Sequence, residues 1–156
     1  MLRKMKGIAA AILIFAAAVP SASAVSVQEE VGAPPPEVYQ AALSVLTPYG
    51  IDKQDPEKFV VESNWIEDSV ERKQKRYIIR TQKKFARRYR VKVTLTPWPR
   101  YAVIKIEIDP RYRPIDSAAF APWRKLSSAR DDYELAREYF HRILTSIEAA
   151  RAAQHA

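Results

Sequence analysis

Two strictly alternating segments, separated by a turn that a strand cannot cross, constrain this fold more than anything else in the chain. In residues 88–96, Val91, Val93 and Leu95 point one way, and Arg90, Lys92 and Thr94 the other. A period of two places successive side chains on opposite faces of a sheet. Pro97, Trp98, Pro99 and Arg100 follow, and two prolines cannot donate to a continuing ladder. Residues 101–109 then return with Ala102, Ile104, Ile106 and Ile108 on one face and Lys105 and Glu107 on the other. The pattern predicts an antiparallel hairpin with one apolar face, and such a face must be covered by a second layer.

The cover is expected from the C-terminal region. Tyr133, Ala136, Tyr139, Phe140, Ile143, Leu144 and Ile147 recur at helical spacing and form one long apolar stripe. Ser128 stands where an N-cap belongs, with Asp131 three residues on, and Asp131, Asp132 and Glu134 complement the positive helix start. The tail from Ala149 is expected to fray. Nearer the N-terminus, Pro36 suits a first helical position, Val38, Ala42, Val45, Leu46 and Tyr49 make a second stripe, and Pro48 and Gly50 end it.

Residues 59–66 read as a strand with Phe59, Val61 and Trp65 on one face, and residues 76–83 as a weaker one whose apolar residues fall side by side. Residues 110–127, with three prolines, read as a long ordered loop, and the polar, proline-ended residues 25–36 as a flexible lead-in. The expectation is a single two-layer α+β domain over residues 37–150. In it a meander of three or four antiparallel strands is covered by a long C-terminal helix, with a tail at 151–156.

Ahead of this domain stands an export signal. Arg3, Lys4 and Lys6 precede an uninterrupted apolar run from Ile8 to Val19, Pro20 breaks it, and Ser21-Ala22-Ser23-Ala24 offers small residues to a signal peptidase. The run of 12 residues is short for a span, which needs roughly 20. The expected cut falls between Ala24 and Val25, so residues 1–24 are a removable signal peptide; an uncleaved anchor is the alternative. Removing 24 of 156 residues leaves 132, and the signal takes three of the 26 Lys and Arg and none of the 18 Asp and Glu, leaving a net charge of +5. The chain has no cysteine, which excludes a disulfide framework, thiolate zinc sites, thiol nucleophiles and lipidation at a lipobox.

Catalytic constellations are scarce. Of two histidines, His155 lies in the tail, and His141, with Glu138 one turn before it, forms at most half a metal site. Three glycines leave no room for a nucleophile elbow or a phosphate-cradling loop. Glu107 with Asp109, and Glu62 with Glu67, read as strand decoration. The sequence therefore calls for no enzyme, no cofactor and no metal.

The charge pattern is more informative. Eleven basic residues and no acidic one lie between Arg72 and Lys92. Interleaved with Tyr77, Ile78, Phe85, Tyr89 and Val91, they predict a basic ridge on one sheet face. Arg76, Arg80, Lys83, Lys84, Arg87, Arg88, Arg90 and Lys92, together with Trp98 between its prolines, are the candidate contacts for an anionic partner. Basic strands interleaved with aromatics suit nucleic acid, but export excludes that partner. It leaves an envelope protein or an anionic membrane or cell-wall component. The competing reading is a solvated face whose Lys and Arg discourage edge-to-edge aggregation.

Several of these segments together resemble a known family. Residues 38–46, Tyr49-Gly50-Ile51, Val60-Val61-Glu62-Ser63-Asn64-Trp65 and Arg88-Tyr89-Arg90-Val91-Lys92-Val93 are similar to the helix-grip domains of BamC (NlpB)-like outer-membrane assembly lipoproteins. The resemblance implies a helix-grip arrangement and an envelope location, periplasmic or outer-membrane-associated. It departs in lacking the anchoring cysteine and in having one grip domain. Three functional readings follow: a non-enzymatic interaction or assembly domain with a basic face; a periplasmic carrier of a small apolar or lipid ligand in a helix-grip pocket; and a hydrolytic enzyme.

Overall fold

The structure is a computed structural model that describes residues 24–76, 79–118, 120–126 and 130–156, with the side chains of residues 73–81 outside that description. The expected signal peptide up to Ser23 and the Ser128 N-cap therefore lie outside the described residues.

The predicted hairpin forms as expected. Counting strands along the chain, β6 (Val91–Pro97) pairs with β7 (Ala102–Ile108), with Val93 opposite Ile106 and Leu95 opposite Ile104. Trp98 N donates to Tyr101 O at 3.0 Å to close the turn. Around this hairpin lies a five-stranded antiparallel sheet in the order β1-β7-β6-β3-β2, where β1 is Val25–Val31, β2 Ile51–Asp55 and β3 Val60–Ser63. Two helices cover its apolar face: α1 (Pro35–Leu46) over β3 and β6, and α2 (Arg130–Gln154) over β1 and β7, the two helices packed side by side.

The α+β class, the antiparallel sheet and the long C-terminal helix gripped by it are as the sequence predicts, with more strands than the expected three or four. Val25–Val31 corrects the expectation of a flexible lead-in. Val25 and Val31 are buried and pair with Ile108 and Ala102 at the sheet edge. The tail corrects too: α2 runs to Gln154, and Arg151 Nε donates to Glu37 Oε1 at 2.7 Å, tying its last turn to α1. Gly50 takes φ +83°, as its place after the helix requires; a Cβ there would lie 2.4 Å from Asn64 Nδ2.

A second, three-stranded sheet has the order β4-β5-β8, with β4 Ile66–Arg76, β5 Ile79–Tyr89 and β8 Arg111–Pro114. Of the strand expected at 76–83, Arg76 ends β4, residues 77–78 lie outside the described residues, and residues 79–83 begin a longer β5. The expected loop 110–127 contains β8, and an isolated bridge joins Tyr112 to Arg124. β8 accompanies β5 only from Phe85 to Arg88. Beyond it, β4 and β5 pair with each other alone as a two-stranded arm.

The core fills the space between the five-stranded sheet and α2. Val25, Val91, Val93, Ile104, Ile106, Ile108, Tyr139 and Ile143 are each no more than 1% exposed.

Candidate functional site

Register accounts for much of the basic run. Glu71 stands opposite Lys84, Asp68 opposite Arg87 and Glu67 opposite Arg88, while Lys92 lies between Glu62 on β3 and Glu107 on β7. Opposite charges on neighbouring strands offset one another. The second half of the run is therefore laid against acids that are distant in sequence.

Arg87 faces inward and is 5% exposed. Its Nε donates to Asp68 Oδ1 at 2.8 Å, its Nη2 donates to Asp68 Oδ2, and its Nη1 lies 3.4 Å from Asp132 Oδ1. Asp132 is fully buried at the start of α2 and also accepts from the Tyr112 hydroxyl. Burial works against the Arg87 charge, but the hydrogen bond and charge of Asp68, with Tyr112 and Asp132, raise its pKa on balance. Burial, then the hydrogen bond to Asp132, raises that of Tyr112. This cluster joins β4, β5, β8 and α2, so Arg87 is positioned as an internal tie.

On the opposite face of the three-stranded sheet, arginines and tryptophans alternate. The Arg90 guanidinium lies 4.5 Å from the Trp65 ring centroid, Arg88 lies 4.8 Å from both Trp65 and Trp123, and Arg113 lies 4.6 Å from Trp123. Arg90 Nη1 also sits 3.2 Å from both Asp52 and Glu62. Each stack is worth roughly 0.5–2 kcal/mol, depending on how far it is desolvated. The ladder holds Trp123 against Arg88 of β5 and Arg113 of β8. The sequence places Trp65 on a strand face with Phe59 and Val61, and carries no sign that Trp65 and Trp123 stack on Arg88 and that Trp65 also stacks on Arg90.

The other predicted contacts scatter. Lys83 reaches Asp116 at 3.9 Å and Lys84 reaches Glu71 at 3.6 Å. Lys92 is exposed on β6. Trp98 is 48% exposed and stacked on Tyr101, at the β6–β7 turn rather than on the three-stranded sheet. Arg76 and Arg80 stand at the far end of the arm, where Lys75 lies opposite Arg80 and Arg72 opposite Lys83.

On the inner face of the three-stranded sheet, beneath the 115–126 segment, lies a pocket of about 360 Å³. Phe85, Tyr112 and Pro114 form one wall, and Ala121, Pro122 and Leu126 the other. Ser117 and Arg124 are the polar groups among its lining. The Tyr112–Arg124 bridge, with backbone bonds of 2.8 and 2.9 Å in both directions, fixes the two walls together. A groove of about 460 Å³ between α1 and α2 is lined more by polar residues, including Glu37, Gln40, Ser44, Ser146 and Gln154. Among the described residues no group of three or more His, Asp or Glu is placed to hold a metal ion. No described helix is long and apolar enough to cross a membrane.

No family model matches the chain, and no curated protein matches it in sequence. Among solved structures it is similar to a DUF4468 family protein from Bacteroides ovatus, with a TM-score of 0.53 and 9% identity over 81% of this chain and 87% of that one. A TBP-like protein from Parabacteroides distasonis follows at a TM-score of 0.45 and 10% identity, over 80% and 93% of the two chains. A START superfamily protein from Mycobacterium smegmatis gives 0.35 and 12%, over 86% and 99%. The first likeness shows a shared fold alone, and the other two carry no argument about this chain. The expected kinship with BamC-like lipoproteins is thereby corrected, because the structural likenesses run to other families; the segments that suggested it are common to many sheets with a helical cover.

Proposed function

We propose that this protein is an exported, non-enzymatic binding domain that holds a small apolar or amphiphilic ligand in the pocket beneath residues 115–126. The observation that carries this reading is the pocket itself. Its volume of about 360 Å³ falls within the roughly 300–1,000 Å³ of small-molecule sites, and its walls are mainly apolar and aromatic with few polar groups. Arg124 gives the lining one fixed cation, suited to a carboxylate or phosphate on an otherwise apolar molecule. The export reading has its own support. Val25, the expected first residue after cleavage, is the first residue of β1 and is 1% exposed, a place that suits the start of a mature chain.

The test is a titration with a fluorescent fatty-acid probe, using Ala121→Trp to fill the pocket from its wall. Saturable binding that Ala121→Trp abolishes supports the reading; binding unaffected by it overturns it.

A second reading, an anionic envelope partner held by the basic region, is favoured by the arm. From Arg72 to Lys83 no acidic residue stands opposite any basic one in the register. In that register Lys75 lies opposite Arg80 and Arg72 opposite Lys83.

A further inference from the structure

We propose that the arginine–tryptophan ladder carries an anion-binding site centred on Arg88, which takes a ligand presenting a carboxylate or phosphate group. The site lies on the opposite face of the three-stranded sheet from the pocket and stands apart from the reading given to that pocket.

The Arg88 guanidinium lies 4.8 Å from the ring centroids of both Trp65 and Trp123. A guanidinium donates hydrogen bonds only in its own plane, and stacked rings accept none of them. Among the described residues Arg88 makes no ion pair and no side-chain hydrogen bond, and its Nε is buried without a partner. Its neighbours on the same face differ. Arg90 Nη1 sits 3.2 Å from both Asp52 and Glu62, and Arg111, opposite Arg88 on β8, reaches Asp109 at 2.9 Å. Glu67, opposite Arg88 on β4, is exposed and stands outside ion-pair distance.

A purely structural ladder accounts for the stacking but leaves the Arg88 donors unmet. A half-buried cation with no acid of its own gains from an acceptor that a ligand brings. The two Nη amines form a planar fork, and an anion with two oxygens accepts from it in a pair of parallel, charge-assisted bonds. The two rings fix where that fork stands, so little order is lost when the anion arrives. Trp65 is 38% exposed, which keeps this part of the ladder open to solvent.

The experiment follows the indole N–H signals by NMR in protein recovered from cells expressing the full chain. Inorganic phosphate, acetate or acetamide is added, with ionic strength held constant by chloride. The chain has three tryptophans, and Trp98, at the β6–β7 turn, is the internal control, its signal identified with Trp98→Phe. Arg88→Lys keeps the charge but lacks the fork. Arg124→Gln removes the cation of the pocket lining. Each variant is checked for an unchanged thermal melt.

Trp65 and Trp123 are expected to shift saturably with phosphate and acetate while Trp98 stays in place. The tighter of the two probes identifies the group that the ligand carries. Acetamide, which matches acetate in shape without its charge, is expected to give no shift, a comparison that needs no variant. Arg88→Lys is expected to bind about tenfold more weakly, and Arg124→Gln to respond as the wild type does. Equal movement of all three tryptophans, an acetamide response equal to that of acetate, or an Arg88→Lys response equal to wild type overturns the proposal. Loss of the response in Arg124→Gln alone also overturns it, by assigning the anion to the pocket.

Discussion

At the scale of the residue, the internal tie around Arg87 is the most consequential arrangement. One guanidinium serves Asp68 and Asp132, with Asp132 fully buried. Removing one member of a buried pair strands the other charge, which costs about 3–5 kcal/mol. Arg87→Ala is therefore expected to destabilise the protein by about that amount in chemical denaturation, whereas Lys84→Ala, whose partner Glu71 is exposed, is expected to cost under about 1 kcal/mol. Equal effects would remove the distinction drawn between the two. The tyrosines give a second expectation. Burial raises the pKa of Tyr89, Tyr112 and Tyr139, aided for Tyr112 by the hydrogen bond to Asp132 and for Tyr139 by that to Tyr89. A raised folded-state pKa means that the folded protein keeps protons which the unfolded chain releases. This stabilisation is complete below the unfolded tyrosine value of about 10 and is lost as pH rises beyond it. Unfolding free energy is expected to fall above about pH 10, and Tyr139→Phe to flatten that fall. None of this was legible in the sequence: Arg87 reads as one of many surface bases, and its partners lie 19 and 45 positions away.

At the scale of the element, legibility followed burial pattern. The β6–β7 hairpin and α2 were readable because each buries one face and exposes the other, so their periods are written in side-chain polarity. β4 was not, because in Ile66–Arg76 Ile66 and Val70 are the only aliphatic residues in an otherwise polar segment. β1 was missed for a related reason: between the buried Val25 and Val31, Val27 is the single apolar residue among Ser26, Gln28, Glu29 and Glu30 at a sheet edge. The structure gives β1 a definite role, since its register covers β7 from Ala102 to Ile108. A chain starting at Ala33 would leave that strand as an open apolar edge, a template for aggregation. Its deletion is expected to yield aggregated protein or a melt lowered by ten degrees or so, read by light scattering and circular dichroism. A melt equal to that of the full domain would show that β1 is dispensable.

At the scale of the whole molecule, two sheets divide the work. The five-stranded sheet and the helices form the hydrophobic core, while the three-stranded sheet carries the pocket on one face and the arginine–tryptophan ladder on the other. The ladder and the Tyr112–Arg124 bridge hold the pocket wall in place, and the exposed Ile115 and Phe120 lie on that same wall segment. The candidate site was only partly foreseen: Arg88 and Arg90 were named for an anion, but the structure uses their faces for Trp65 and Trp123. Phe85, Tyr112 and Leu126 converge from distant parts of the chain, a closeness that no periodicity records. The central claim, that the molecule binds its ligand beneath residues 115–126, is tested most directly by amide chemical-shift mapping during titration with a fatty-acid probe. Shifts centred on Phe85, Tyr112, Ser117, Ala121, Arg124 and Leu126 are the predicted result. Shifts centred instead between α2 and the five-stranded sheet, or none at saturating probe, would contradict it.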